Sequence, residues 1–456
     1  MRQASLEQIA DGLREGTVTS AALMAEAGAR HAATEDRLNA YRTWAGDRAA
    51  SQAEAADTLL RTGIDLGPMM GLPVSVKDLY GVPGLPVFAG TDTELPKEWR
   101  RAGPLLRRVL DQLGLVTGKT HTVEFAFGGL GTNPHWGAPV NPWSAPGAPR
   151  AAGGSSSGAG VSLAQGSALA ALGTDTAGSV RIPASFTGQT ALKTTHGRWS
   201  LEGIVPLSPS MDTPGLLARS VEDLAFLFAA IEKRDRVAAR DAGGLRIGII
   251  ENLVWEGIDP AIAETTQAAL ARLEAAGARL VEVEVPHLDR VLDIFKRGGL
   301  GAPELRGFLD GNFPDRIARL DPAVRMRVDQ ADEITASDYL QRRAVLAECG
   351  RSALRAFDGV ELLVSPTIPI TAPLMADLED PDTYRHANMM ALRNTAIVNL
   401  LGWCALTLPT GLDGNGIPTG LQIIAPPHEE ERLLAAGLGV EAVLGAARDL
   451  LGPPPL

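Results

Sequence analysis

Lysine is nearly missing from this chain. Of 42 basic residues only six are lysine: Lys77, Lys97, Lys119, Lys193, Lys233 and Lys296. Lysine is normally among the commoner residues. Codon bias in an Ala/Gly/Arg-rich genome accounts for the general skew, and it makes each remaining lysine worth inspecting. Positive charge is in deficit overall, with a formal net charge of −12. That balance argues against a general nucleic-acid or anionic-membrane binder. Cysteine is scarcer still. Cys349 and Cys404 are far apart and lie among apolar residues, which excludes a CxxC metal or redox pair and predicts two buried thiols in a reducing cytosol. No long apolar run is present. The most apolar stretch, 396–408, is too short to span a bilayer and contains Asn399. The first residues, Met1 to Glu7, lack the apolar core of a signal peptide. A cytoplasmic protein is therefore expected, without membrane or nucleic-acid partners. Repeat periods are absent too.

What is present is a chain of 456 residues, 45% hydrophobic and 21% charged, enough for a large buried core. Residues 5–62 read as helices, opened by a capping box at Ser5-x-x-Gln8. The alternating run Gly71-Leu-Pro-Val-Ser-Val-Lys-Asp78 reads as a short strand. A helix is expected over 105–112, a strand over 113–117 and an Ala-rich helix over 159–171. A strand–helix–strand unit follows over 245–285. Residues 288–356 read as mostly helical, with later strands at 362–365, 405–409 and 420–424, and a helix at 429–443. This alternation predicts an α/β layered fold with a large mixed sheet covered by helices. No linker separates the halves, so one domain over 1–456 is expected: N-terminal helices at 5–62, a core at 71–215, and a helical insertion at 288–356 that is a candidate substrate lid.

The strongest local signal is Gly153-Gly-Ser-Ser-Ser-Gly-Ala-Gly160. A flexible linker fits poorly, because α/β texture continues on both sides. A phosphate cradle fails, since no Lys follows this loop, and Gly118-Lys119-Thr120 lacks the first glycine. The dinucleotide pattern fails at Leu163. Gly154-x-Ser156-x-Gly158 matches a nucleophile elbow in form. An elbow must leave an apolar strand directly, and Pro146 to Ala152 cannot be a central strand. The remaining reading combines two serines and a lysine. Backbone N–H groups of a Gly/Ser loop ahead of a helix can stabilise an oxyanion, and a second Ser, Ser179, lies at another Gly-rich turn. No histidine is close to either serine; the nearest are His135 and His196. A His could fold in from afar, and a Lys on an apolar strand could also serve as base.

These segments, with Gly173-Thr-Asp-Thr-Ala-Gly-Ser-Val-Arg-Ile-Pro-Ala-Ser185, resemble the signature of the amidase signature family. So do the lysine strand ending at Lys77, Glu124-Phe-Ala126, Asn141-Pro-Trp143, Met211-Asp-Thr213 and Gly420-Leu-Gln-Ile-Ile424. The resemblance runs over about residues 5–445. It implies the family's α/β fold and a Ser–cis-Ser–Lys triad: Ser179 as nucleophile, Ser155 as middle serine with a cis peptide bond, and Lys77 as base. It implies an oxyanion hole from the N–H groups of Thr176, Ala177, Gly178 and Ser179. Around them, Asp175 and Arg181 are expected to form a structural ion pair. Ser156 is expected either to bond Lys77 or to cap the following helix. Phe127, with Gly128 and Gly129, matches a segment lining the acyl pocket. Glu124 and Asp78 are expected to be structural. The chemistry is consistent: Lys has a pKa near 10.4 that burial can lower by several units, whereas Arg does not deprotonate in proteins.

The sequence also departs from the family. Ala177 stands where the family has Gly, Ala152 where it has Pro, and Lys193-Thr194-Thr195 where it has Lys-Pro-Thr. The resemblance implies hydrolysis of a small carboxamide, anilide, carbamate or urea-like substrate through an acyl-enzyme, with no metal or organic cofactor. Two alternatives stay open: a glutamine-hydrolysing subunit of a tRNA-dependent amidotransferase, and a non-catalytic scaffold. A homodimer is one expected assembly.

Overall fold

The computed structural model describes residues 4–456. One eleven-stranded sheet runs through them. Its strands are β1 (Tyr41–Trp44), β2 (Pro73–Lys77), β3 (Leu115–Thr120), β4 (Ala170–Asp175), β5 (Thr190–Lys193), β6 (Thr213–Ala218), β7 (Arg246–Ile250), β8 (Arg279–Val283), β9 (Leu362–Pro366), β10 (Cys404–Leu412) and β11 (Pro418–Ala425). Their spatial order is β1-β3-β2-β4-β6-β5-β10-β11-β9-β7-β8. β2 pairs in parallel with β3 and β4, and β7 in parallel with β8 and β9. The strands between these groups, β6, β5, β10 and β11, pair antiparallel, so the sheet is mixed, as expected. β2, β4, β5 and β6 are buried along their whole length, which fits their near-continuous apolar and small residues.

Local structure differs from expectation in several places, and β5 and β6 stand where no strand was expected. The N-terminal helices are interrupted by β1, which pairs antiparallel with β3. Asn39 ends the preceding helix in the left-handed region, φ 52°, and turns the chain onto the sheet edge. The Ala-rich helix expected over 159–171 stops at Gln165, with Gly166 as its left-handed C-cap, φ 83°. Ala170 and Ala171 belong to β4 instead. Short Ala/Leu runs do not distinguish a buried strand from a helix, and pairing with Val74–Val76 decides it here. The strand expected over 113–117 is shifted to Leu115–Thr120. The capping box at Ser5 is formed.

Candidate active site

Period-two alternation along β2 sends Ser75 and Lys77 to one face. There the Ser75 hydroxyl meets Ser162 Oγ at 2.9 Å, on the helix Ser157–Gln165. Lys77, the last residue of the strand, is fully buried. Its Nζ donates to Ser155 Oγ at 2.7 Å and to Thr174 Oγ1 at 2.9 Å. The Gly154–Ser155 peptide bond is cis. Burial pushes the Lys77 amine down to about 7, against the opposing pull of the Asp212 and Asp175 carboxylates. A substantial fraction of this lysine is therefore neutral near pH 7.

Ser179 stands on the turn after β4. The Ser156 N–H donates to its carbonyl at 3.1 Å, which ties the two serine loops together. Among the described residues the Ser179 hydroxyl has no hydrogen-bond partner, and the residue keeps 3% exposure while Ser155 and Lys77 have none. Asp175 shapes the turn. Its carboxylate accepts from the N–H of Gly178 at 2.7 Å and of Val180 at 3.2 Å, and is held by the Arg181 guanidinium at 2.9 Å. Burial works against that charge, but Arg181 wins and holds the carboxyl down at about 2. Gly178 sits at φ +130°, and a Cβ there would lie 2.1 Å from Thr395 Oγ1, so only glycine fits. Ala177 is not in the left-handed region, which is why it can replace a glycine.

Two expectations change. The Gly178 N–H has a single proton to give, and Asp175 takes it. This leaves Thr176, Ala177 and Ser179, whose N–H groups have no acceptor among the described residues, as candidate oxyanion donors. Ser156 neither bonds Lys77 nor caps its helix. Its hydroxyl donates to the Thr174 carbonyl at 3.2 Å, and a Cβ on Gly173 would come within 2.8 Å of it. Ser156 thus pins β4 to the serine loop. The elbow reading fails with it, because residues 149–156 come off isolated bridges rather than a central strand.

Phe127, Gly128 and Gly129 lie beside the serine loop: the Gly154 N–H donates to the Gly129 carbonyl at 2.8 Å. Asp78 and Lys119 form a fully buried ion pair at 2.7 Å, and Asp78 also accepts the N–H groups of Phe88 and Ala89. Glu124 pairs with His135 at 2.9 Å and accepts the Asp321 N–H at 2.7 Å; burial raises its carboxyl to about 7. That contact ties the helical segment 288–356 to the core, as does Glu304, which accepts from Ser208 Oγ and the Ser210 N–H.

Several site residues escape a reading of the sequence. Thr174 is the second partner of Lys77. Asp212 accepts from Thr176 Oγ1 at 2.5 Å and from the N–H groups of Leu207 and Ser208. The helix Pro381–Leu400 runs along the whole site. Asn388 accepts the Gly129 N–H at 2.8 Å, Thr395 donates to the Ala177 carbonyl at 2.7 Å, and Asn399 bonds both Asp175 and Arg181. Their spacing along one helix face was a signal, but nothing local said which loops that face meets. Among the described residues, no cluster of three or more His, Cys, Asp or Glu is placed to hold a metal ion.

The family model for amidases matches residues 22–434. The chain is 57% identical to a 2-amino-5-chloromuconic acid deaminase of Comamonas testosteroni, over 99% of this chain and 98% of that one. It is 32% identical to an amidase of Pseudomonas putida, over 96% and 95%. A crystal structure of an amidase superposes with a TM-score of 0.88 at 32% identity, covering 97% of this chain and all of that one.

Proposed function

The chain belongs to the amidase family and is a hydrolase of amide-type C–N bonds; on that premise we propose that Ser179, Ser155 and Lys77 carry the reaction. The observation that supports this most is the buried 2.7 Å contact between Lys77 Nζ and Ser155 Oγ, next to a nucleophile turn whose serine hydroxyl is uncommitted. Neutral Lys77 takes the Ser155 proton as Ser155 takes that of Ser179. Ser179 Oγ then adds to the carbonyl carbon, and the oxyanion forms against the N–H groups of Thr176, Ala177 and Ser179. The proton returns through Ser155 to the departing nitrogen. Water, deprotonated along the same relay, cleaves the acyl-enzyme.

The 57% relative is named for removing the amino group of an unsaturated dicarboxylic acid. We extend that class here: a small carboxylate whose nitrogen leaves as ammonia. An amino group on a carbon–carbon double bond tautomerises to C=NH; water adds to that carbon and the resulting carbinolamine expels ammonia to leave a ketone. For such a substrate the lysine–serine relay moves the protons and no acyl-enzyme forms. Cys349 and Cys404 are free and buried, which fits a cytoplasmic location, and no helix among the described residues is long and apolar enough to cross a membrane.

The test is ammonia release from a panel of amino-enoic acids, primary amides, anilides, carbamates and glutamine. Amino-enoic acids or carboxylate-bearing amides are expected to lead. A preference for glutamine that needs a partner protein would favour the amidotransferase reading. Lys77→Ala is expected to lower kcat by several orders of magnitude with an unchanged circular dichroism spectrum, and near-normal turnover in that variant would remove the lysine from the mechanism.

A further inference from the structure

Arg327 stands on the helix Pro322–Asp329, within the segment 288–356. Its guanidinium donates to the Phe127 carbonyl and to Tyr384 Oη at 3.0 Å. It lies over the faces of both rings, 5.6 Å from the Phe127 centroid and 5.4 Å from that of Tyr384. Among the described residues no carboxylate comes within ion-pair distance of it. Many other arginines are neutralised, including Arg325 two residues earlier, which pairs with Asp329 at 2.7 Å. Arg48, Arg150, Arg316, Arg342 and Arg393 also lack a carboxylate, but their bonds go mostly to backbone carbonyls and none of them lies over two aromatic rings as Arg327 does. Arg327 uses two of its five N–H donors and keeps three.

Its position gives those donors a use. A Cβ on Gly128 would lie 3.1 Å from Tyr384 Oη and 3.4 Å from Arg327, so the Phe127–Gly129 segment packs directly against the arginine and its tyrosine. The next residue, Gly129, accepts the N–H of Gly154, whose peptide bond leads to Ser155. Tyr384, which holds Arg327, belongs to the same helix, Pro381–Leu400, as Thr395, which holds the nucleophile turn. One helix therefore braces both Arg327 and the Ser179 turn. A half-buried guanidinium framed by aromatic faces and lacking a counter-charge is suited to bidentate carboxylate binding.

We propose that Arg327 anchors a carboxylate of the substrate, at the end of the molecule away from the C–N bond that is broken. This rests on the carboxylate-bearing substrate class proposed above. Muconate, an unreactive dicarboxylate, and its dimethyl ester serve as probes, titrated calorimetrically into wild type, Arg327→Met and Arg327→Lys. Muconate affinity is expected to fall at least ten-fold in Arg327→Met and to recover in part in Arg327→Lys, with the ratio of muconate to ester affinity falling alongside. Equal losses for both probes would make Arg327 a structural residue and overturn the proposal. So would muconate failing to bind wild type while amides are still hydrolysed. Muconate binding that depends on Arg327, together with no ammonia release from any amino-substituted carboxylate, would keep the anchor and overturn the substrate reading instead.

Discussion

Three of the six lysines, Lys77, Lys119 and Lys193, are fully or almost fully buried, and each does something different. Lys119 is neutralised by Asp78. Lys193 donates to the carbonyls of Thr194 and Trp403, and burial lowers it to about 8. Lys77 alone hydrogen-bonds only hydroxyls, and burial outweighs the pull of the more distant Asp212 and Asp175 carboxylates toward the charged form. Lys77→Arg is therefore expected to be as inactive as Lys77→Ala, because a guanidinium cannot give up its proton. Because the proposed reaction runs through the neutral amine, it requires kcat/KM to rise with pH through an inflection near 7 and level off above it. Thr174 Oγ1 accepts from the lysine, a bond that favours the charged form. Thr174→Val should move that inflection to lower pH, and an unmoved inflection would show that Thr174 does not tune the amine. The juxtaposition of Lys77, Ser155 and the Ser179 turn could be anticipated because each sits in a contiguous motif. Thr174 was not, because its role depends on β4 lying beside β2.

At the scale of elements, one helix explains most of what local reading left out. Pro381–Leu400 is separated from the serine loops by about two hundred residues of chain, yet Asn388, Thr395 and Asn399 hold the Gly129 loop, the Ser179 turn and the Asp175–Arg181 ion pair in sequence. In the sequence, 396–408 stands out only as an apolar run, and the polar residues on the helix have no visible partner. β1 was missed for a related reason, since a four-residue strand between helices is defined by its neighbour β3 and not by its own pattern. Thr395→Val removes the only side-chain donor to the Ala177 carbonyl found among the described residues, while leaving the triad intact. It should lower kcat by about ten-fold or more with little change in KM, as expected when oxyanion donors are displaced. Asn399→Leu strips a partner from both Asp175 and Arg181, and should cost about 1–3 kcal/mol in stability by urea unfolding.

Across the whole molecule, burying cationic amines makes stability depend on pH in a direction that can be worked out. Lys77 ordinarily titrates near 10.5 and is held at about 7 in the fold; Lys193 is held at about 8. Between those values and 10.5 the unfolded chain binds protons that the folded protein does not, so stability rises with pH across that window. The net charge of −12 acts the other way, because self-repulsion grows as bases lose their protons. That repulsion is nearly the same in wild type and in Lys77→Met, so their difference isolates the lysine. Thermal melting from pH 7.5 to 9.5 should therefore rise more steeply, or fall less steeply, in wild type than in Lys77→Met. The variant should melt higher near pH 7.5 and lose part of that lead by pH 9.5. Parallel curves would mean that Lys77 is no harder to protonate in the fold than in the unfolded chain. The same amine could not then supply the neutral base that the proposed chemistry requires.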